Sequence, residues 1–264
     1  MSAAGASPDG APAPGAFPDD AALARHIAEE AGQLLVRIQR SGLFEGKALG
    51  QAGDRTANAF IMEALRTQRP ADAILSEEEK DDQARCAASR VWIVDPLDGT
   101  REFGEGRADW AVHVGLSVDG MPVTGAVALP GHPLTLCSAT PQPLGPVGDR
   151  IRMLVSRSRP AREALAVATA LDAELIPMGS AGAKAMAVVR GEADIYLHSG
   201  GQYEWDNCAP VAVALAHGLH CSRIDGAPLV YNRPSPYMPD LLICPPPLAE
   251  RVLAIVAALD SPAD

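Results

Sequence analysis

Val91-Trp92-Ile93-Val94-Asp95-Pro96-Leu97-Asp98-Gly99-Thr100 is the stretch from which the fold can be read. Four apolar residues run into a carboxylate, the pattern of a buried strand that presents Asp95 at its end. Pro96 has no amide hydrogen for a ladder, so the strand is expected to stop there and turn. Gly99 frees the backbone for close approach to a ligand, and Thr100 adds a hydroxyl. Two acids three positions apart, on a tight turn beside free amides, suit hard divalent cations and a phosphate group. Aspartates that only cap a turn are the plainer alternative. An aspartyl-phosphate mechanism is excluded, because its two acids sit two apart before Gly-Thr and that slot holds Pro96.

The string Asp95-Pro96-Leu97-Asp98-Gly99-Thr100 resembles the first signature of the inositol monophosphatase superfamily, the lithium-sensitive, magnesium-dependent phosphatases. The longer run from Trp92 to Trp110 is similar to that of its CysQ-type branch, the actinobacterial 3'-phosphoadenosine 5'-phosphate phosphatases. A second signature of the superfamily, Trp-Asp followed by small residues, resembles Glu204-Trp205-Asp206-Asn207-Cys208-Ala209. Asn207 and Cys208 stand where Thr and Ala are common.

Composition bounds the rest. The chain has 264 residues, enough for one large domain or two smaller units sharing a core. Hydrophobic residues make up 47% but aromatics only 4%, so Ala, Val and Leu must build the interior. A net charge of −11 argues against general nucleic-acid binding, which needs a basic face. It also repels an anionic substrate at long range unless cations invert the local field. Five cysteines at 86, 137, 208, 221 and 244 form no CxxC pair, so neither a zinc site nor a disulfide framework is expected. Reduced thiols in a cytoplasmic protein are the simplest account. The six histidines have no metal-ligand spacing and read as ordinary core or surface residues. No run reaches the roughly 18 apolar residues of a membrane span.

Residues 1–18 are rich in Ala, Gly and Pro, without a basic start or a continuous apolar core, and read as a flexible tail. An N-terminal α+β half over 19–140 is expected to carry the first signature. A C-terminal α/β half over 149–262 follows the Pro- and Gly-rich stretch 141–148. In the first half, Asp19 and Asp20 can cap a helix to about Arg40, and a second helix is expected to begin near Asp54. Ala73 to Ser76 reads as a short strand delivering the acids Glu77, Glu78 and Glu79, and residues 79–85 as an exposed, mobile loop. Arg101 to Gly106 reads as a polar loop, in which Arg101 meets a phosphate or pairs with a nearby acid. A hairpin turns at Asp119-Gly120. In the second half Gly179-Ser180-Ala181-Gly182-Ala183-Lys184 opens a helix. Its small residues suit either an anion at the helix start or tight helix packing, and it lacks Walker-loop spacing. Asp206 falls in a first helical turn, where the helix dipole favours an acid.

The resemblance implies more. Glu77, Asp95 and the Leu97 carbonyl would hold one metal ion, and Asp95, Asp98 and Asp206 a second, with Glu78 the lesser choice beside Glu77. Oxygen-only ligands favour magnesium or manganese, and two or three Mg2+ per site are expected. Thr100, supported by Asp54 and assisted by Glu77, would orient the attacking water. In the superfamily a threonine precedes that aspartate; here Gln51 stands in the slot, and Asp54 as a simple N-cap is the alternative. Asp98, Gly99, Thr100, Arg101, Gly179, Ser180, Lys184 and Glu204 would contact substrate. The implied fold is a layered αβαβα sandwich with mixed sheets. The implied activity is hydrolysis of 3'-phosphoadenosine 5'-phosphate to AMP and phosphate in sulfate assimilation. Inositol-1-phosphatase or fructose-1,6-bisphosphatase activity is the alternative, and a non-catalytic metal- or nucleotide-binding regulator is the alternative of another class. A homodimer is common among such proteins.

Overall fold

Asp19 caps the first helix as its place before an apolar stripe predicts: its Oδ1 accepts the Ala22 amide at 2.7 Å. The computed structural model describes Phe17 and residues 19–259. The expected tail thus lies, Phe17 apart, outside the described residues, as do 260–262 of the expected C-terminal half. Helix α1 (Asp20–Arg40) buries Leu23, Ile27 and Leu35 at helical spacing.

Helix α2 (Gly46–Gln68) starts well before Asp54, which is therefore an interior residue and not an N-cap. Glycine in a helix interior costs up to about 1 kcal/mol. Packing overrides that preference. A Cβ on Gly50 would lie 2.6 Å from Thr100 Cγ2, and one on Gly53 2.9 Å from Phe103 Cε1. Bare backbone at these points lets α2 lie directly against the signature turn.

The first sheet has the order β1 (Ala73–Ser76), β2 (Arg90–Asp98), β3 (Ala111–Val118), β4 (Met121–Leu129), β5 (Leu134–Cys137). Only β1 and β2 are parallel. Pro96 does not end β2. The strand runs on to Asp98 through a bulge, with Asp95 opposite His113 and Asp98 opposite Ala111. β1 stops opposite Val94, so Pro96 lies beyond it, at a bulge where a missing amide hydrogen is tolerated. The expected loop after Thr100 is instead a short helix, α3 (Thr100–Gly104), entered through Gly99 in the left-handed region at φ 90°.

The second sheet is mixed as well, with β6 (Arg152–Ser156), β7 (Glu174–Met178), β8 (Ile195–Tyr203), β9 (His220–Ser222) and β10 (Tyr237–Cys244) in the order β7-β6-β8-β10-β9. β8 and β10 are longer than their apolar cores predict, because they pair with each other as far as Tyr203 and Tyr237. The remaining helices are α4 (Arg162–Leu171), α5 (Ala181–Val189), α6 (Glu204–Ala216) and α7 (Pro246–Leu259).

Helices α1 and α2 cover one face of the first sheet. Helices α5 and α6 lie between the sheets, and α4 and α7 cover the far face of the second. The result is the five-layer αβαβα sandwich with two mixed sheets. Of the loop expected to be exposed over 79–85, Glu79, Lys80, Asp82, Gln83 and Ala84 are exposed and Arg85 is not. Arg85 is buried, pairs with Asp81 at 2.7 Å, and donates to Asn232 Oδ1 and the Arg233 carbonyl.

Candidate active site

Strand ends and helix starts deliver the acids to one place. Asp95 and Asp98 stand at the bulged end of β2, Asp206 in the first turn of α6, and Glu77 just past β1. Carboxylate oxygens of Asp95, Asp98 and Asp206 lie within 4.8 Å of one another. Glu77 is exposed, and its carboxyl is near enough to that of Asp95 for each to shift the other's protonation. Asp95 Oδ1 also accepts the Leu97 amide at 3.0 Å.

The protonation behaviour shows how crowded this group is. Burial first, then the charges of Glu77, Asp98 and Asp206, push Asp95 well above the usual carboxylate range. Burial and Asp206 raise Glu77 to about 7. Burial and Asp98 raise Asp206 to about 6. Four acids in a poorly solvated space are unfavourable alone, and a divalent cation is the partner that offsets them. The donor set is oxygen only, as hard cations require.

Asp98 differs. Burial opposes its charge, but His113, Ser180 and the Gly182 amide outweigh that and hold it at about 2. Ser180 Oγ donates to Asp98 Oδ2, and the Gly182 amide donates to the same oxygen at 2.6 Å. His113 Nε2 lies 3.3 Å away, while its Nδ1 meets the Trp205 carbonyl at 3.0 Å. His113 is fully buried and was not singled out by sequence reasoning. Its register opposite Asp95 is the signal that would have found it, and that register needs a sheet alignment the sequence does not contain.

Thr100 Oγ1 sits 3.1 Å from the Leu97 carbonyl and 3.5 Å from Asp54 Oδ1. Burial and the neighbouring charge of Glu78 raise Asp54 to about 7. Asp54, Thr100, Leu97 and the four acids are therefore one constellation. Gln51 lies one turn before Asp54 on α2, exposed.

The remaining expected residues divide. Arg101 is exposed and paired with Glu105 at 2.8 Å. It borders a cavity of about 670 Å³ shared with Arg157, Ser158, Arg159, Ser180 and Lys184. Gly179 is buried, and its amide donates to Asp109 Oδ2 at 2.7 Å. Lys184 Nζ donates to the carbonyls of Gly179 and Ser180, and burial lowers it to about 8. Glu204 is corrected as a substrate contact. It is fully buried, with both carboxylate oxygens accepting the backbone amides of Asn232 and Arg233 at 2.8 Å. Arg157, Arg159 and Asp109 were missed. The polar run following β6 was the signal for the two arginines, because it leaves a strand end just as Glu77 does, and Asp109 stands shortly before β3.

A profile of the inositol monophosphatase family matches residues 21–260. The 3'-phosphoadenosine 5'-phosphate phosphatase of Mycobacterium leprae is 46% identical over 256 residues, covering 90% of this chain and 93% of that protein. The 3'(2'),5'-bisphosphate nucleotidase CysQ of Escherichia coli is 33% identical over 195 residues, covering 69% of this chain and 78% of that one. Among solved structures, CysQ from Bacteroides thetaiotaomicron, a bacterial member of the inositol monophosphatase family, is similar with a TM-score of 0.76 at 26% identity. That likeness covers 85% of this chain and 96% of the other.

Proposed function

This chain belongs to the inositol monophosphatase family, and on that premise we propose that it hydrolyses 3'-phosphoadenosine 5'-phosphate to AMP and inorganic phosphate. The observation that carries the reading is the convergence of Asp95, Asp98 and Asp206, with Glu77 beside them, next to the Thr100–Asp54 pair. Glu77, Asp95 and the Leu97 carbonyl would hold one cation, and Asp95, Asp98 and Asp206 the second. The chemistry that magnesium, with manganese as a substitute, would supply there is a nucleophile from water at neutral pH and neutralisation of charge on the ester.

The chain's own groups do the rest. Thr100, within reach of Asp54, would orient the attacking water, take up its proton and pass it to a carboxylate raised to about 7. Hydrolysis joins the water oxygen to phosphorus, breaks the phosphorus–3'-oxygen bond and leaves a proton on that oxygen. Arg101, Arg157, Arg159 and Lys184 border the neighbouring cavity together with Glu102 and Glu105, and would answer the negative charge that the substrate keeps. They do so locally, against a chain whose net charge of −11 repels anions at a distance.

Among the described residues no helix is long and apolar enough to cross a membrane. A cytoplasmic role in sulfate assimilation, a homodimer and inhibition by lithium belong to the same proposal. The test compares kcat/KM with magnesium on 3'-phosphoadenosine 5'-phosphate, inositol 1-phosphate and fructose 1,6-bisphosphate. The nucleotide is expected to lead. A higher value for inositol phosphate overturns the substrate assignment, and nucleotide binding without any turnover overturns the enzymatic one. Full activity at high lithium removes that clause.

A further inference from the structure

Aromatic side chains are scarce in this chain, with three Trp, four Tyr and four Phe, so where they stand is informative. Tyr196 and Tyr231 are fully buried, and their hydroxyls are bonded to Gln202 and Asn207. The other two tyrosines behave differently. Tyr203 is 45% exposed and Tyr237 49% exposed, and they are register partners across β8 and β10. Their rings meet edge to face at 6.0 Å, and the Tyr203 ring stacks on Trp205 at 4.8 Å with 7° between planes. Gly201 admits the Tyr237 ring, since a Cβ there would lie 3.0 Å from Cε2.

This platform is tied to the acids. The Tyr203 amide donates to Asp206 Oδ2 at 2.6 Å, so backbone and carboxylate hold each other in place. Asp206 itself is one residue beyond the stacked Trp205. An exposed aromatic pair is thus joined, through the Tyr203 backbone, to an acid of the site.

We infer that Tyr203 and Tyr237, backed by Trp205, form the surface on which the nucleobase of the substrate stacks. The inference rests on the nucleotide reading above and names its base-recognition element. A purine is the planar, neutral part of such a substrate, and every base offers a face to an aromatic ring. Cations answer its phosphates, and an aromatic plane answers the face of its base. Tyr203 stacked on Trp205 loses little freedom when a base is laid on it, because its ring is already held.

The experiment measures KM and kcat for 3'-phosphoadenosine 5'-phosphate, and inhibition by inorganic phosphate, in the parent, Tyr203→Ala, Tyr237→Ala and Tyr203→Phe. KM is expected to rise about tenfold or more in Tyr203→Ala, the scale of one lost base–aromatic stack. Tyr203→Phe should restore it, and the inhibition constant of phosphate, which has no base, should stay near the parent's. Unchanged KM, or equal weakening of nucleotide and phosphate, overturns the inference. So does a fall in sedimenting mass in the alanine variants, which would assign the patch to contact between two copies of this chain. If the parent fails to hydrolyse the nucleotide, the functional reading fails alone. Adenosine is then titrated against tryptophan fluorescence, for which Trp205 is the accessible reporter because Trp92 and Trp110 are buried. Quenching lost in Tyr203→Ala supports the platform, and absence of quenching in the parent overturns it.

Discussion

The Gly182 amide, in the first turn of α5, donates to Asp98 Oδ2 at 2.6 Å. That bond joins a helix packed between the sheets to the strand end that carries the signature acids. His113, Ser180 and this amide together keep Asp98 charged, at about 2, while Asp95 and Asp206 are pushed upward. A fixed anion is thereby built into the site by the fold itself, through a helix start and a buried histidine.

Gly182→Ala should break this arrangement. A Cβ there would lie 1.9 Å from His113 Nε2, and His113 is fully buried with no room to retreat. Overpacking of this kind costs about 1–3 kcal/mol, so the melting temperature should fall by several degrees. Because the displaced groups are those that hold Asp98, activity should fall further than stability accounts for. Thermal melts and kcat on one preparation separate the two effects.

Stability without metal should depend on pH in a direction opposite to the common acid-denaturation pattern. Glu77 and Asp206 sit at about 7 and about 6, above their ordinary values of 4.5 and 3.8. Through these two groups the folded state binds more protons than the unfolded one between about 4 and 7, while His198, lowered to about 4 by burial, and His220, also lowered by burial, oppose them over part of that range. The contribution is fully present below the ordinary values and is lost as pH rises through the folded ones. His113, also raised by Asp98 against the effect of burial, acts in the same sense. Asp98, held at about 2, contributes oppositely, but its window lies below this range. In chelator the melting temperature should be higher at pH 5 than at pH 8, and the gain on adding magnesium should be larger at pH 8. Equal gains at both values would refute the link between metal and acids.

Much of this site was legible because acids at element ends announce themselves. Val91 to Val94 had to be a buried strand, Asp19 a cap and Asp119-Gly120 a hairpin turn, and all three are as local chemistry dictates. What local chemistry could not give is where one element presses on another. Gly50 and Gly53 look like helix breakers until Thr100 and Phe103 are placed against them. Pro96 looks like a strand stop until β1 is seen to end opposite Val94. Glu204 looked like a site acid by its neighbours alone, whereas the loop at Asn232 and Arg233 folds over it and takes both its oxygens.

Arg157 should act as a clasp between the two sheets' loops. It follows β6, yet its guanidinium reaches Glu102 at 3.2 Å and Asp109 at 2.5 Å in the first half of the chain. Asp109 in turn accepts the Gly179 amide. Arg157→Ala should cost about 1–2 kcal/mol, between an exposed pair and a buried charged bond. It should also raise KM more than it lowers kcat, since the loosened Gly179-Ser180 turn borders the cavity. A loss of kcat alone would place Arg157 in the chemistry instead.

Asp95→Asn should separate function from stability. Asp95 is buried and surrounded by like charges, so its carboxylate is unfavourable in the metal-free fold. Asparagine keeps the Oδ1 that accepts the Leu97 amide and sets a neutral NH2 beside Glu77 in place of a charge. In chelator the variant should therefore melt at or above the parent's temperature. With magnesium the order should reverse, because a carboxylate that would hold the cation has lost its charge. Phosphate release should drop by about a thousandfold or more, the scale on which a principal electrostatic group is missed. Unchanged release would mean that Asp95 does not hold metal, and the convergence of the acids would then need another explanation.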